Sequence, residues 1–530
     1  MFEKKLTVEF NEERIDAIFS KYNQCGLPGV AIGIAVNRRP VYRKGFGLAN
    51  MELPVVLSPS IRMRIGSTTK HFTSLAYLLL CEDGAADIDD PIGKYLPELH
   101  PVTHAVTMRQ IMGNVGGLRD VCDFVLRFSG AGRPVSALEM LSLYKDLNEV
   151  NAAPGTAWIY NNSGYVMLSV AIERIANKPL EEVFRERIFA PIGMKDTLLR
   201  RFDTDFVPNS AAQHMVNLDG AYVKSYFGID FAGAGAIVST VDDMLRWLDH
   251  MEAPTVGKAA SWANLMTTQT LANGTDTGYG LGLMLGRYRG AHTLSHPGGG
   301  MGGNAQMIKV LGAGLDIVVI VNRHDAQSME LASEVIEACL PGLEPVPASD
   351  SSAVATGTFR GCDSGRILQL KDGGGQQYVA LDGFELPHRL NSEGELQPLP
   401  LWHFLKRSVR LIGSPAAPDR VLLNDFGNRE EFSRVPPAGK ADARSLEGHY
   451  RSDSIGAEGV VRETDRGYQL FATGRFGSAP YLLEAIGQRT WRARPSTPMN
   501  LGGIVTSGPG GMGFDFFSYG NRALHFRRCD

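Results

Sequence analysis

The stretch HFTSLAYLLLCEDG, residues 71 to 84, constrains the fold more than any other part of this chain. Its apolar residues fall on every side of a helix rather than along one stripe, so the rest of the chain must enclose it; Gly84 marks its end. A domain built around a buried helix is therefore predicted. At 530 residues the chain is also longer than one hydrophobic core normally supports, so two or three domains are expected.

The segments around that helix are mixed. Gly29 to Leu48 reads as a hairpin, GVAIGIAV and VYRKGFGL about the turn NRRP. VMLSVAIERIAN, the segment Val241 to His250 and SMELASEVIEACL read as helices, and NAQMIKV with LDIVVIVN as paired strands. This is an α+β pattern with an antiparallel sheet. Composition changes at PGLEPVPASDSSAVATG and again at RVPPAGKADARS, where Pro, Ser and small residues replace periodic apolar ones. The expected domains are 1–345, 346–440 and 441–530. The last two consist of short runs such as RILQLKD, QYVALD, GYQLFATG and FDFFS between Gly, Asp and Asn turns, the pattern of small β-barrels or sandwiches. They open alike, GTFRG at Gly357 and GHYRS at Gly448, which suggests a duplication.

Charge excludes several classes of function. A formal net charge of -4 with 21% charged residues points to neither nucleic acid nor an anionic membrane as a partner. The start MFEKKLTVEF is charged, and no stretch reaches the roughly 18 apolar residues of a membrane span, so a cytoplasmic location is expected. Six cysteines stand singly without CxxC spacing, and no His/Glu or Cys/His cluster has ligand spacing, so no metal is predicted.

Ser67-Thr68-Thr69-Lys70 lies at the entrance to the buried helix. Residues three apart share a helix face, so Lys70 can approach the Ser67 hydroxyl; burial and the helix N-terminus disfavour its ammonium form. A weak nucleophile thereby gains a base. Ser-x-x-Lys recurs at Ser142-Leu143-Tyr144-Lys145, but SALEMLSLYKDLNE reads as an ordinary amphipathic helix with Lys145 on its wet side. Tyr160-Asn161-Asn162 precedes an apolar helix. Tyr160 can relay a proton if nearby cations favour its phenolate, and Asn162 can hydrogen-bond a substrate amide. Tyr519-Gly520-Asn521 repeats that spacing, and the plain reading of such a tyrosine is a half-buried turn aromatic. His296-Pro297-Gly298 is followed by a run of glycines, where the Gly299 N–H can join that of Ser67 in an oxyanion hole.

In order, Ser67/Lys70, Tyr160/Asn162 and His296/Gly298 resemble the three-element signature of serine β-lactamases, penicillin-binding proteins and their relatives. TMRQIMGNVGGL and VFRERIFAPIGMKDT resemble the segments that flank those elements. With His-x-Gly as the third element and two barrels following, the chain is similar to the bacterial D-aminopeptidases. The resemblance implies a β-lactamase-like catalytic domain, release of an N-terminal D-residue such as D-alanine from small peptides, amides or esters through an acyl-enzyme on Ser67, no cofactor, and a homodimer. Lys70 and Tyr160 would share the proton transfers, His296 would shape the field opposite them, and Gly298 and Gly299 would contact substrate. It further implies a loop of the third domain, about residues 496 to 506, reaching the active site with Asn500 where an amine-binding aspartate would stand. A neutral amide offers an ammonium no charge attraction. Pro297 lacks the hydroxyl, and neutral His296 the charge, that hold a carboxylate in penicillin-binding relatives. A broad esterase or D-amino acid amidase on the same Ser67 machinery, or a non-catalytic binding protein, are the alternatives.

Overall fold

The computed structural model describes residues 6–529 apart from 131–132, 218, 347–353, 403, 415, 440–443, 498–499 and 509–510. The expected boundary at 441 and part of the 496–506 loop lie outside the described residues.

The first region is built on a six-stranded antiparallel sheet. Its strands are β1 (Val30–Val36), β2 (Arg39–Phe46), β3 (Met284–Tyr288), β4 (Ala291–Gly300), β5 (Gly303–Val310) and β6 (Leu315–Val321), in the spatial order β3-β4-β5-β6-β1-β2. The hairpin and the strand pair read from the sequence meet at its centre, where Ile32 of β1 faces Val319 of β6. Alternation divides the strands between two cores. Val30, Ile32 and Ile34 pack beneath α1 (Glu12–Phe19) and α6 (Ser328–Cys339), whereas Ala31 and Ala35 face the interior.

Behind that inner face lies α2 (Lys70–Glu82), buried without interruption from Lys70 to Leu80. The all-round apolar pattern is thus matched by all-round enclosure. The helix ends where Gly84 takes φ +75°. Around it pack α4 (Asn162–Ala176) and α5 (Val241–Glu252), with α3 (Val121–Phe128) against α4. Asp120 caps α3 by accepting from Cys122 N, and Asn161 caps α4 by accepting from Gly164 N. The second Ser-x-x-Lys differs from a plain helix. An α-helix over Ala137–Leu141 tightens into a 3₁₀ turn at Ser142–Lys145, with the Ser142 hydroxyl donating back to Glu139 O at 2.6 Å and Lys145 in solvent.

Two closed, eight-stranded antiparallel barrels follow, with strands from Gly357–Gly361 to Asn428–Arg434 and from Gly448–Ser452 to Asn521–Arg528. Closure pairs the first strand with the last and leaves no free sheet edge. The second barrel shares its core with the first region. Phe128, at the end of α3, is buried against Phe516 and Phe526, with ring centroids 5.0 and 5.5 Å away. The first barrel meets the first region through Leu386, Leu405 and Phe426, which pack on Trp158 and Tyr279.

Candidate active site

Ser67 sits in the 3₁₀ turn Gly66–Thr69 that runs directly into α2. The turn is fastened to β4 by the Thr68 hydroxyl, which donates to His296 O at 3.0 Å. Backbone meets backbone here. A side chain at Gly298 would stand 1.8 Å from Ile65 O, and one at Gly66, which has φ +54°, would stand 2.9 Å from Gly299 N. Glycine at both places lets the backbone before Ser67 lie directly against Gly298 and Gly299, the close approach an oxyanion hole requires.

Lys70 is fully buried. Its Nζ lies 3.1 Å from Ser67 Oγ and donates to Asn162 Oδ1 and Ala234 O, each at 2.8 Å. It also lies over the Tyr160 and Tyr165 rings, 4.6 and 5.3 Å from their centroids. Burial lowers its pKa to about 7, against an opposing pull from Asp120 and Cys122. Two donated hydrogen bonds leave the lone pair of a neutral amine for the Ser67 proton. At pH 7 about half of such amines are neutral.

The phenol of Tyr160 is held well above the ordinary tyrosine range by burial, opposed by a hydrogen bond with Ser67. The phenolate considered from the sequence is therefore not the resting form, and Tyr160 is equipped to donate a proton rather than to accept one. Asn162 spends its Oδ1 on Lys70, so only its Nδ2 hydrogens remain for a substrate. His296 is buried and neutral, its pKa lowered to about 3 by burial and by Lys70. Its Nδ1 lies 2.6 Å from Pro297 O and its Nε2 3.0 Å from the Tyr279 hydroxyl. A carbonyl can only accept, so Nδ1 carries the proton and Nε2 accepts from Tyr279. Both nitrogens are occupied by the protein, and His296 holds the wall of the site.

These residues open on a cavity of about 630 Å³ between the three parts of the molecule. Ser67, Tyr160, Asn162, His296, Gly298 and Gly299 line it from the catalytic region, Phe384, Trp402 and Phe404 from the first barrel, and Leu501, Gly502 and Tyr519 from the second. Asn500, expected among the substrate-binding residues, does not line it. Its Oδ1 is turned toward Gly130, beyond the far end of α3. Tyr519 is a half-buried turn aromatic, as its plain reading had it, yet it packs on Phe384 at 4.3 Å and forms part of the cavity wall.

The polar floor was not read from the sequence. It consists of Asp120 and Asp123. Asp120 accepts from Asn162 N at 3.0 Å and from the Ser163 hydroxyl at 2.5 Å, and its pKa is raised by burial and by Asp123 against those bonds. Asp123 accepts from Arg127 Nε at 2.8 Å. Only the alternating D-x-x-D-x-x-x-R of one short helix, RDVCDFVLR, marked them, and that pattern is common on solvated helices. Arg127 is the only arginine or lysine in the cavity lining among the described residues, and it is paired with Asp123. The lining thus holds three carboxyl groups, Asp120, Asp123 and Asp382, against one arginine.

Arrangement and sequence agree on the class. The Beta-lactamase family model matches residues 15–338, and the chain belongs to that family. Among similar proteins, the D-aminopeptidase of Brucella melitensis biotype 1 is 26% identical over 474 residues, covering 88% of this chain and 87% of its own. That of Brucella anthropi is 25% identical, covering 88% and 86%. The fold resembles the octameric penicillin-binding protein homologue from Pyrococcus abyssi, with TM-score 0.58 and 22% identity over 80% of this chain and 99% of that one. It also resembles D-amino acid amidase from Ochrobactrum anthropi SV3, with TM-score 0.52 and 23% identity over 62% and 98%. The α+β domain followed by two antiparallel barrels is the architecture expected from the sequence. No helix among the described residues is long and apolar enough to cross a membrane.

Proposed function

We propose that this protein is a D-stereospecific serine hydrolase that removes N-terminal D-amino acids from short peptides, amides or esters through an acyl-enzyme on Ser67. The observation that carries this reading is a lysine amine poised near neutrality 3.1 Å from a serine hydroxyl, in a cavity lined by Asp120, Asp123 and Asp382 with Arg127 as the one arginine or lysine among the described lining residues. The relatives of matching length named D-aminopeptidase support it.

In this reading Ser67 Oγ attacks the substrate carbonyl while its proton passes to Lys70 Nζ. The N–H groups of Ser67 and Gly299 receive the charge that develops on the carbonyl oxygen. Tyr160 donates its proton to the departing amine or alcohol and recovers it from Lys70. A water then repeats the attack on the acyl-enzyme, giving its proton to Lys70, which passes it to Ser67 Oγ as the acyl bond breaks. The substrate ammonium is drawn to the Asp120 and Asp123 side of the cavity, in place of the Asn500 contact expected from the sequence. A cavity of about 630 Å³ walled by both barrels suits a short substrate.

The apolar walls also suit an amidase or esterase indifferent to the amine. Rates on D-alanine p-nitroanilide, its L-enantiomer, its N-acetylated form and a short-chain ester separate the readings. The aminopeptidase reading expects the free D-amine to be preferred by at least tenfold over the acetylated compound. Equal rates on the two would establish the esterase instead.

A further inference from the structure

The catalytic lysine is connected to the last hairpin of the chain. From Lys70 Nζ the hydrogen-bond path runs to Asn162 Oδ1, and from Asn162 N to Asp120 Oδ2 at 3.0 Å. Asp120 Oδ1 also accepts from Ser163 N at 3.3 Å and from Cys122 N at 3.1 Å, so one carboxylate ties together the first turns of α3 and α4. Such a carboxylate fixes Asn162 only as well as it is itself fixed.

What fixes it comes from about 400 residues further along the chain. Asn521 Oδ1 accepts from Asp120 N at 2.9 Å, and Asn521 Nδ2 donates to Asp120 O and to Asp123 Oδ2, each at 3.0 Å. Ser518 Oγ donates to the same Asp123 oxygen at 2.6 Å. The turn between these residues is held in turn by the catalytic region. Asn151 donates from Nδ2 to Gly520 O at 2.9 Å and accepts from Arg522 N at 2.9 Å, and Arg119 donates to Arg522 O. Ser518, Asn521, Asp120 and Asn151 are all buried. An apolar anchor lies beside this polar one, where Phe128 enters the barrel core.

We infer that Asn521 is a positioning residue for catalysis: it clamps Asp120 from the second barrel and so sets the place of Asn162 and Lys70 beside Ser67. The barrel's terminal turn is then part of the catalytic apparatus without touching substrate. The clamp also keeps water from the α3 and α4 N-termini. Around Lys70 stand Asp120, Cys122, His296, Tyr160 and Tyr165, and burial among them is the largest influence on its pKa. Admitting water eases that burial and moves the Lys70 pKa upward.

This inference rests on Ser67 and Lys70 acting as proposed, and the test separates the two. The rate at which an uncharged fluorophosphonate labels Ser67 is measured from pH 5 to 9 in the full chain, with the melting temperature alongside. Asn521→Ala is expected to fold, to label about tenfold or more slowly at pH 7, and to shift its acid limb to higher pH. Should Asn521→Ala fail to fold, Asn521→Asp takes its place. It is nearly isosteric, keeps the acceptor for Asp120 N–H and replaces the donor with a carboxylate facing Asp123, so the same slowing is expected. A folded variant with wild-type labelling and an unmoved acid limb overturns the clamp. Labelling that persists in Ser67→Ala overturns the nucleophile assignment instead.

Discussion

Burial of Lys70 makes a quantitative prediction about how the enzyme responds to pH. An ordinary lysine, with pKa near 10.4, has only about one amine in a few thousand neutral at pH 7, whereas one lowered to about 7 has about half. The depressed pKa is thus worth about a thousandfold in available base. The rate of Ser67 labelling by an uncharged fluorophosphonate should climb nearly tenfold per pH unit below about 7 and level off above it. His296 titrates near 3 and Tyr160 well above the ordinary phenol range, so neither moves inside that window. An amine pKa falls on warming while a carboxyl pKa hardly changes, so profiles at two temperatures distinguish Lys70 from Asp120. The same shift has a sign in stability. Between about pH 7 and 10 the unfolded chain holds a proton on Lys70 that the folded chain lacks, so the wild type gains stability as pH rises through that window. Lys70→Met lacks this gain. It leaves Asn162 Oδ1 and Ala234 O without their donor at every pH, a loss of roughly 1–3 kcal/mol each that cancels from the pH dependence. The stability of Lys70→Met relative to wild type should therefore be greatest near pH 6 and fall by on the order of 4 kcal/mol by pH 10, read by denaturant melts. An acid limb near pH 10, or a stability difference flat with pH, would refute the neutral-lysine argument.

Other perturbations read neighbouring parts of the site. Gly298→Ala forces a methyl group onto Ile65 O and pushes β4 from the Ser67 turn; kcat should fall by about a hundredfold if the fold survives, measured against an unchanged far-ultraviolet spectrum. Tyr279→Phe removes the partner of His296 Nε2 and should lower stability by about 1 kcal/mol, with a small loss in kcat and no movement of the acid limb. In the first barrel, partly buried Arg366 is held by Asp382 at 2.6 Å and by Asp425 at 3.2 Å. Asp382→Ala should destabilise by about 1–3 kcal/mol in chemical denaturation, because it strips a largely enclosed guanidinium of one of its two carboxylates. Trp402→Ala opens the cavity wall and should raise KM for substrates with large apolar side chains more than for D-alanine p-nitroanilide.

How much of this was legible in the sequence depended on the range of the contacts. The helix after Lys70 could be recognised because its burial is written in eleven consecutive residues. The barrels could be recognised because short alternating runs between turns admit few other architectures. Ser67, Lys70 and Asn162 meet because each sits at the start of a helix whose identity was local, whereas the strand that carries His296, Ala291–Gly300, was not read from the sequence. Asp120 and Asp123 could not be found that way. Their spacing with Arg127 is what a solvated helix displays, and only pairing with Ser518 and Asn521 turns it into a buried floor. Asn500 failed for the converse reason. Its placement was inferred by the position of a loop relative to other proteins, and here Leu501 and Gly502 occupy the cavity side of that loop.

That exchange bears on how the site can select an amine. A negative charge carried by a loop of the last barrel, as the resemblance implied, would be free to move with that loop. Charge placed on Asp120 and Asp123 belongs instead to the first turn of α3, one hydrogen bond from Asn162 and two from Lys70. On the proposed reading, a substrate ammonium there and the Lys70 amine would act on each other across low-dielectric protein. An ammonium arriving beside Asp120 opposes protonation of Lys70 and favours the neutral amine needed to activate Ser67. Recognition of the substrate and readiness of the base become coupled. A substrate lacking the amine should therefore lose in kcat as well as in KM, and its acid limb should lie at higher pH than that of the free-amine substrate.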